Sequence, residues 1–323
     1  MKAVQIIARS QPVFIDAPKP ELMPGTGLVK TLRLSLCGSD IRHLHYLPDD
    51  RYPTPIGETG HEMVGVVEAI DPAYNGSVKP GDRVLCLAPD HRAMQEYYLA
   101  PVDRLLPLDP SVPLEYSVQA QQFGTVLYAA KTLPDLRGKT VAVIGQGSAG
   151  LWFNFALQQR GAAKIIALDL KAYRLNYSKY FGASHTIHNA DISPLEALRD
   201  INGGGLPDVV IEAAGEEESI RLAVEIARIN GFILYFGVPR FETMDFPIFQ
   251  YFWKSLTAQS NVGAINEPNH ASTRQALEYI NSGAVDTGRM ITHTFKFADV
   301  FEAYELHRIQ DEGAVKIVID MEG

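Results

Sequence analysis

Cysteine is scarce in this chain, since Cys37 and Cys86 are its two thiols among 323 residues. Two cysteines cannot form a disulfide framework, and so low a content is typical of a reducing compartment, so we expect a cytoplasmic protein. A zinc site built from four cysteines is excluded. A site that combines one thiolate with histidine and carboxylate ligands remains open.

The chain also lacks an excess of positive charge and a long apolar run. Lysine and arginine number 29 against 38 acidic residues, which gives a net charge of −9, and no basic cluster is present to bind a nucleic acid. No apolar stretch reaches the ~20 residues that cross a bilayer, and the N-terminal run is too short for a secretory signal. We therefore expect neither a nucleic-acid partner nor a membrane partner.

What is present is ordinary globular composition, with 46% hydrophobic residues and a length that suggests about two domains. The first part of the chain is rich in short β segments. Leu32, Leu34 and Leu36 alternate with polar residues, which is the period of a half-buried strand. Further strands are predicted at 63–70 and 83–87, with a turn at 79–82.

From about residue 125, apolar strands alternate with amphipathic helices, which predicts βαβ units and a doubly wound parallel sheet. The predicted strands are 140–144, 164–168, 185–187, 208–212 and 232–236, with helices such as 148–160 and 219–229. A helix at 298–310 and a strand at 315–320 close the chain. The fold class is therefore α/β plus β: a β-rich domain, residues 1–124 and 266–323, with an inserted α/β domain, residues 125–265.

A glycine-rich turn, GQGSAG, follows the apolar strand TVAVI and opens a helix. Gly145, Gly147 and Gly150 allow a tight turn, close approach of the backbone to a pyrophosphate, and close helix–strand packing. Ser148 and Ala149 complete the motif at the helix N-terminus, where phosphate is attracted. The alternative is a glycine-rich turn that binds no ligand.

An acidic residue supports the binding of a dinucleotide. Asp169 ends the next strand, nineteen residues after Gly150, where its carboxylate can accept hydrogen bonds from both ribose hydroxyls and would repel the 2′-phosphate of NADP. NAD is therefore favoured. Arg174 is a candidate neighbour of the adenosine ribose, with a solvated surface arginine as the alternative. Residues after later strands are predicted to approach the nicotinamide: Ala214, Gly237 and Val238.

Cys37, His61 and Glu62 offer a thiolate, an imidazole and a carboxylate close to predicted strand ends. Such a set suits a catalytic zinc ion with an open fourth position. The alternatives are a buried, unreactive cysteine and a structural histidine, and the spacing alone does not decide between these interpretations.

Several segments in order resemble the medium-chain dehydrogenases, specifically the zinc-dependent alcohol and polyol dehydrogenase branch. They are MKAVQI, LCGSD, GHEMVGVVEAI, KPGDRV, VAVIGQGSAG, DVVIEAAG and VKIVID, and they span essentially the whole chain. The resemblance implies a GroES-like catalytic domain, a Rossmann domain and an active site in the cleft between them. It also implies assembly through the Rossmann domains, as a homodimer or a homotetramer.

The resemblance assigns roles by position. Cys37, His61 and Glu62 match the ligands of the catalytic zinc ion. Ser39 and His43 match the hydroxyl and imidazole of a proton relay, and Asp40 matches an acid that supports a ligand. Ser39 has the alternative of capping the following helix, and we favour His43 over His45, which is the other histidine of this segment.

Two departures from the family pattern affect the metal content. The family's structural zinc lobe, with four closely spaced cysteines, is absent because residues 89–95 run directly into Glu96. One catalytic zinc ion and no structural zinc ion are therefore expected. Gln121 stands where the family usually has glutamate or cysteine, and its neutral amide oxygen is a weaker fourth ligand.

These features predict an oxidoreductase that transfers a hydride between a secondary alcohol, such as a polyol, cyclitol or sugar, and NAD. The alternatives are a zinc-free reductase of the quinone or enoyl type and an NAD-binding sensor without activity. Gln95, Gln121 and Gln122 are candidate hydrogen-bonding partners of a polyhydroxylated substrate. The aromatic segment 246–253 either lines the cleft or packs in a core or a subunit contact, and packing is favoured.

Overall fold

A computed structural model describes residues 1–264, 266–311 and 313–322. The chain divides into two units by its internal contacts: Met1–Gly124 with Glu267–Gly323, and Thr125–Asn266. The first unit is thus formed from the two sequence stretches that flank the second. The predicted domain boundary at residue 265 lies outside the described residues.

The elements follow one another along the chain. The strands are β1 (Lys2–Ala8), β2 (Gln11–Asp16), β3 (Thr26–Ser35), β4 (Glu62–Ile70), β5 (Arg83–Leu87), β6 (Tyr97–Pro101), β7 (Leu105–Pro107), β8 (Thr140–Ile144), β9 (Lys164–Asp169), β10 (His185–His188), β11 (Val209–Glu212), β12 (Phe232–Tyr235), β13 (Thr257–Ser260), β14 (Ile291–Lys296) and β15 (Lys316–Asp320). The helices are α1 (Gly38–His45), α2 (Leu114–Ser117), α3 (Ala120–Lys131), α4 (Ser148–Gln159), α5 (Ala172–Tyr180), α6 (Pro194–Ile201), α7 (Glu217–Ile226), α8 (Ile248–Trp253), α9 (Ala271–Asn281) and α10 (Val300–Ile309). None of them, over the described residues, is long and apolar enough to cross a membrane.

The first unit is built on a sheet with the strand order β14-β15-β3-β4-β5-β7, in which β6 also pairs with β3. Leu34 of β3 is buried, as its alternation predicts, but Thr31 and Ser35 on the polar positions are each 1% exposed as well. The strand is therefore buried on both faces rather than half-buried. Burial is tolerated because the polar groups find partners; Thr31 Oγ1, for example, donates to the carbonyl of Gln95 at 2.7 Å.

The second unit is a parallel sheet with the strand order β10-β9-β8-β11-β12-β13. The five predicted strands end within one residue of the observed limits, because buried parallel strands are continuous apolar runs. Helix α7 begins earlier than predicted, since Glu216 caps it and forms a capping box with Ser219. The edge strand β13 was not predicted, because its sequence TAQS is polar and largely exposed.

Candidate metal and cofactor sites

The three predicted metal ligands meet at one end of the sheet of the first unit. Cys37 is the N-cap residue of α1, two residues after the end of β3, and His61 directly precedes β4, which begins at Glu62. Ser35 pairs with Glu62 in the antiparallel register, so the end of β3 and the start of β4 are adjacent. The ligand atoms of the three residues lie within 4.8 Å of one another. A zinc ion with bonds of about 2.0–2.3 Å needs donor atoms this close together.

Glu62 is held by a buried ion pair. Its Oε2 lies 2.7 Å from Nζ of Lys316, and both side chains are 0% exposed. Lys316 Nζ also donates to the carbonyl of Leu36 at 3.0 Å. Glu62 Oε1 has no hydrogen-bond partner among the described residues. A buried carboxylate oxygen without a hydrogen-bond partner can be stabilised by a cation, so Glu62 Oε1 is suited to bind a metal ion.

Asp40 lies next to His61. The Oδ1 atom of Asp40 lies 3.6 Å from Nδ1 of His61, and its Oδ2 accepts the backbone N–H of Cys37 at 2.8 Å. Burial raises the pKa of Asp40, but these two contacts outweigh burial and hold the pKa below its ordinary value. Asp40 is therefore anionic and faces Nδ1, which leaves Nε2 of His61 for a metal. The structure thus places Asp40 beside His61, and its supporting role stays a prediction.

The predicted relay residues share one face of α1. Ser39 and His43 are four residues apart, one helical turn, and the Oγ atom of Ser39 is buried without a hydrogen-bond partner among the described residues. Ser39 does not cap the helix, because Cys37 occupies the N-cap and Asp40 completes the capping box. His45 has a different environment, where its Nδ1 pairs with the hydroxyl of Ser10.

The glycine-rich turn of the second unit joins β8 to α4. Gly145 has a φ of +89°, and a Cβ atom on Gly150 would lie 1.9 Å from the carbonyl oxygen of Gly145. Both positions therefore need glycine for conformation or for packing. Gly147 differs, because a Cβ atom there would meet nothing within 4 Å. Its lack of a side chain leaves open space at the N-terminus of α4, which suits a phosphate. Ser148 and Ala149 form the first turn of α4.

Asp169 lies at the end of β9, beside this turn. Its Oδ2 accepts the backbone N–H of Gln146 at 2.6 Å, and its Oδ1 accepts that of Lys171 at 2.7 Å. The carboxylate is thus fixed where a ribose is expected. Arg174 Nη1 lies 3.9 Å from Asp169 Oδ2, and its side chain is 11% exposed, so Arg174 is not a solvated surface arginine.

The loops after β11 and β12 approach each other closely. Glu212 Oε1 accepts the backbone N–H groups of Ala214 and Gly215. A Cβ atom on Gly237 would lie 2.2 Å from the nitrogen of Gly215, so this contact requires glycine. Val238 follows and is 40% exposed. The predicted nicotinamide-side residues therefore lie together at the carboxyl ends of neighbouring parallel strands.

Comparison with known proteins identifies the family. The family model of the alcohol dehydrogenase GroES-like domain matches residues 23–110, and that of zinc-binding dehydrogenases matches residues 150–282. The chain is 29% identical over 328 residues to an Arthroderma otae protein named probable D-xylulose reductase A, with 90% of each covered. It is 25% identical to an alcohol dehydrogenase of Cupriavidus necator, covering 99% of this chain and 98% of that one. A solved alcohol dehydrogenase from Thermus sp. ATN1 matches with a TM-score of 0.84 at 25% identity, covering 99% of this chain and 100% of that chain.

The chain belongs to the zinc-type medium-chain dehydrogenases. The predicted family and the predicted fold class, a GroES-like β-rich domain with an inserted Rossmann sheet, are confirmed. A zinc ion and a nicotinamide cofactor are typical of this family.

In this dehydrogenase, a glutamine reaches the candidate zinc site from α3. Gln122 Nε2 lies 3.5 Å from Sγ of Cys37, and Gln122 Oε1 is buried without a hydrogen-bond partner among the described residues. Gln121, the predicted fourth ligand, is its half-buried neighbour. Sequence reasoning weighed Gln122 as a substrate contact and did not connect it with Cys37, because the register of α3 relative to β3 was not known.

Sequence reasoning missed His91, which lies in the short connection that replaces the cysteine-rich lobe. Its ring centroid is 4.4 Å from that of His61 and 4.7 Å from that of His43, with the second pair stacked. Burial, with smaller contributions from His61 and His43, lowers its pKa to about 3, so the ring is neutral. The feature of the sequence that could have drawn attention to this position is a histidine within the shortened connection 89–95.

The aromatic segment 246–253 has two environments. Phe246 and Tyr251 pack against the core of the second unit, as the favoured interpretation predicts. Phe249, Phe252 and Trp253 of α8 are 73%, 74% and 65% exposed. Half of the segment is therefore a surface feature of the second unit, which an aromatic run in sequence does not distinguish from a core.

Proposed function

We propose that this chain is a zinc-dependent dehydrogenase that transfers a hydride between a secondary alcohol, such as a polyol, cyclitol or sugar, and NAD. The observation that carries the proposal is the donor set of Cys37, His61 and Glu62, whose ligand atoms lie within 4.8 Å of one another. The relatives named D-xylulose reductase and alcohol dehydrogenase support the substrate class.

The donor set fits zinc in chemistry as well as in spacing. Burial lowers the pKa of His61, but Cys37 and Asp40 outweigh burial and raise the pKa well above its ordinary value. The site thus favours a positive charge at the imidazole, which a cation can supply instead of a proton. Cys37, His61 and Glu62 would hold the zinc ion, with Gln121 as a proposed weak fourth ligand. We expect one catalytic zinc ion per chain and no structural one.

In the proposed reaction, the residues of the chain move the proton and position the metal ligand. When bound, zinc supplies a Lewis acid and NAD supplies a hydride acceptor. Ser39 would accept the hydroxyl proton of the alcohol, and His43, at the other end of the relay, would release a proton to solvent. The alcohol becomes a ketone, NAD⁺ becomes NADH, and one proton is set free. Asp40 holds His61 in place through Nδ1.

The cofactor is held by the second unit. The turn with Gly145, Gly147 and Gly150 would cradle the pyrophosphate at the N-terminus of α4, together with Ser148 and Ala149. Asp169 would bind the ribose hydroxyls and disfavour NADP, with Arg174 beside it. Ala214, Gly237 and Val238 would face the nicotinamide half. The expected cytoplasmic location and homo-oligomeric state remain predictions.

Metal content tests this proposal directly. Elemental mass spectrometry of protein purified without added metal is expected to give about one zinc ion per chain, which Cys37→Ser removes together with NAD⁺-linked polyol oxidation. Cys86→Ala is the control, because burial raises the pKa of the Cys86 thiol and keeps it protonated. Turnover is assayed with NAD⁺ and NADP⁺ in parallel. A protein that takes up no zinc would contradict the proposal in favour of a zinc-free reductase or an NAD-binding sensor.

A further inference from the structure

His43 is held from three sides by residues outside its own helix. Its Nδ1 lies 2.5 Å from Oε1 of Glu58, and its ring stacks on that of His91 at 4.7 Å with an interplanar angle of 19°. The hydroxyl of Tyr52 donates to the backbone carbonyl of His43 at 3.3 Å. The side chains of His43 and Glu58 are 21% and 10% exposed, so this arrangement is largely shielded from water.

Glu58 is presented by a backbone that is fixed on both sides. The preceding residue, Gly57, has a φ of +82°, and a Cβ atom there would lie 2.3 Å from the carbonyl oxygen of Arg92. Gly57 N–H donates to the carbonyl of Val4 at 2.8 Å. Two residues further on, the N–H groups of Thr59 and Gly60 both donate to the carbonyl of His91. The carboxylate of Glu58 is thus preorganised three residues before the metal-ligand candidate His61.

The site therefore contains two carboxylate–imidazole pairs with different tasks. Asp40 faces His61, the proposed metal ligand, and Glu58 faces His43, the proposed end of the relay. The ring of His91 lies between the two imidazoles. A carboxylate on Nδ1 of a histidine fixes the tautomer that carries the proton there, and the other nitrogen becomes the proton acceptor.

We propose that Glu58 is a positioning residue for proton release: it holds His43 as the Nδ1–H tautomer and so makes Nε2 the atom that accepts the proton from the relay. This rests on the proposed function, in which Ser39 and His43 form the relay. In the step, the substrate hydroxyl proton moves to Ser39 Oγ, Ser39 releases its own proton into the relay, and His43 Nε2 accepts a proton at the solvent end of the relay. The imidazolium then loses this proton to water, and the proton on Nδ1 stays on His43, hydrogen-bonded to Glu58.

Kinetics of single and double variants test whether Glu58 acts through His43. Glu58→Gln is expected to lower kcat by roughly 10- to 100-fold, the usual cost of removing the carboxylate partner of a functional histidine, with KM nearly unchanged. In the His43→Gln background the same substitution should have no further effect on kcat. Glu58→Asp should recover part of the loss, and Glu68→Gln, on the exposed part of β4, is the matched control. An equal loss of kcat with and without His43 would overturn the proposal.

Nitrogen NMR of the histidine side chains tests the tautomer without any turnover. In the full-length ¹⁵N-labelled protein, the resonance absent from His43→Gln identifies His43. The wild type is expected to show Nδ1–H, and Glu58→Gln to lose this preference while its circular dichroism and zinc content stay unchanged. Nε2–H in the wild type would overturn the proposal. Because this measurement needs neither zinc nor NAD, a failed zinc test and a failed tautomer test are separate results.

Discussion

Lys316 and Glu62 place opposite charges at 0% exposure inside the first unit. A buried charge that loses its partner costs about 3–5 kcal/mol. We therefore expect Lys316→Met to lower the free energy of unfolding of the metal-free protein by about 3 kcal/mol or more, measured by urea denaturation. The control is Lys296→Met, at an exposed position of β14. A loss no larger than that of the control would show that the pair is energetically neutral.

Single residues also show how far sequence reasoning reaches in this site. Cys37, His61 and Glu62 were predicted as ligands from their side-chain types near strand ends and from the family resemblance, and the pairing of β3 with β4 brings them together. Glu58 and His91 were missed because their side chains are aimed by loop backbone. His91 has a φ of +59°, and no local pattern of residue types predicts a left-handed histidine.

At the scale of elements, two glycines of the β8–α4 turn have different roles. Gly150 is needed for packing, and Gly147 leaves space that suits a phosphate. Gly150→Ala would place a methyl group 1.9 Å from the Gly145 carbonyl oxygen, so α4 must move. We expect a loss of about 1–3 kcal/mol in stability, seen as a lower Tm. Gly147→Ala meets no such contact and should keep its Tm, but weaken NADH binding roughly tenfold, as its methyl group fills the pyrophosphate space.

Two measurements decide between these outcomes, namely thermal unfolding followed by circular dichroism and titration of NADH fluorescence. If Gly147→Ala bound NADH as tightly as the wild type, the pyrophosphate would not lie over this turn. If Gly150→Ala kept its Tm, the close contact at Gly145 would be relieved at little cost in free energy.

The elements themselves were predictable to different degrees for a physical reason. Strands β8, β9 and β11 are flanked by neighbours on both sides and buried, so each is an apolar run with a clear beginning and end. Strand β13 lies at the sheet edge with one neighbour and needs no apolar run, which is why TAQS gave no signal. Strand β3 is more buried than predicted, because its polar residues Thr31 and Ser35 are covered by parts of the chain that are remote in sequence.

At the scale of the whole chain, the interruption of the first unit makes its C-terminal stretch part of the candidate metal site. Strand β15 pairs with β3 and delivers Lys316 to Glu62, although 254 residues separate them in sequence (316 − 62). The sequence predicted the return to the first unit from the closing strand at 315–320. It did not predict the ion pair between Lys316 and Glu62, because the order of strands in the sheet decides which strands lie near β15, and this order was not known from the sequence.

The second unit leaves an apolar surface that bears on assembly. Phe249, Phe252 and Trp253 of α8 and Val262 after the edge strand β13 are 65% to 100% exposed. Exposed aromatic residues near an open sheet edge are unfavourable in water and are typical of subunit contacts. We therefore predict a homodimer or homotetramer, with a mass of two or four times 35.6 kDa by light scattering.

Charge placed on this surface should break the assembly. Phe252→Glu is expected to shift the protein to the monomer mass at micromolar concentration, because a carboxylate buried at an interface without a partner costs several kcal/mol. Met23→Glu, at a position of the first unit that is 54% exposed, is the matched control and should keep the wild-type mass. If the wild type already has the monomer mass by light scattering, the predicted oligomer is wrong and the exposed aromatic residues have another role. An oligomer that survives Phe252→Glu would place the subunit contact elsewhere on the chain.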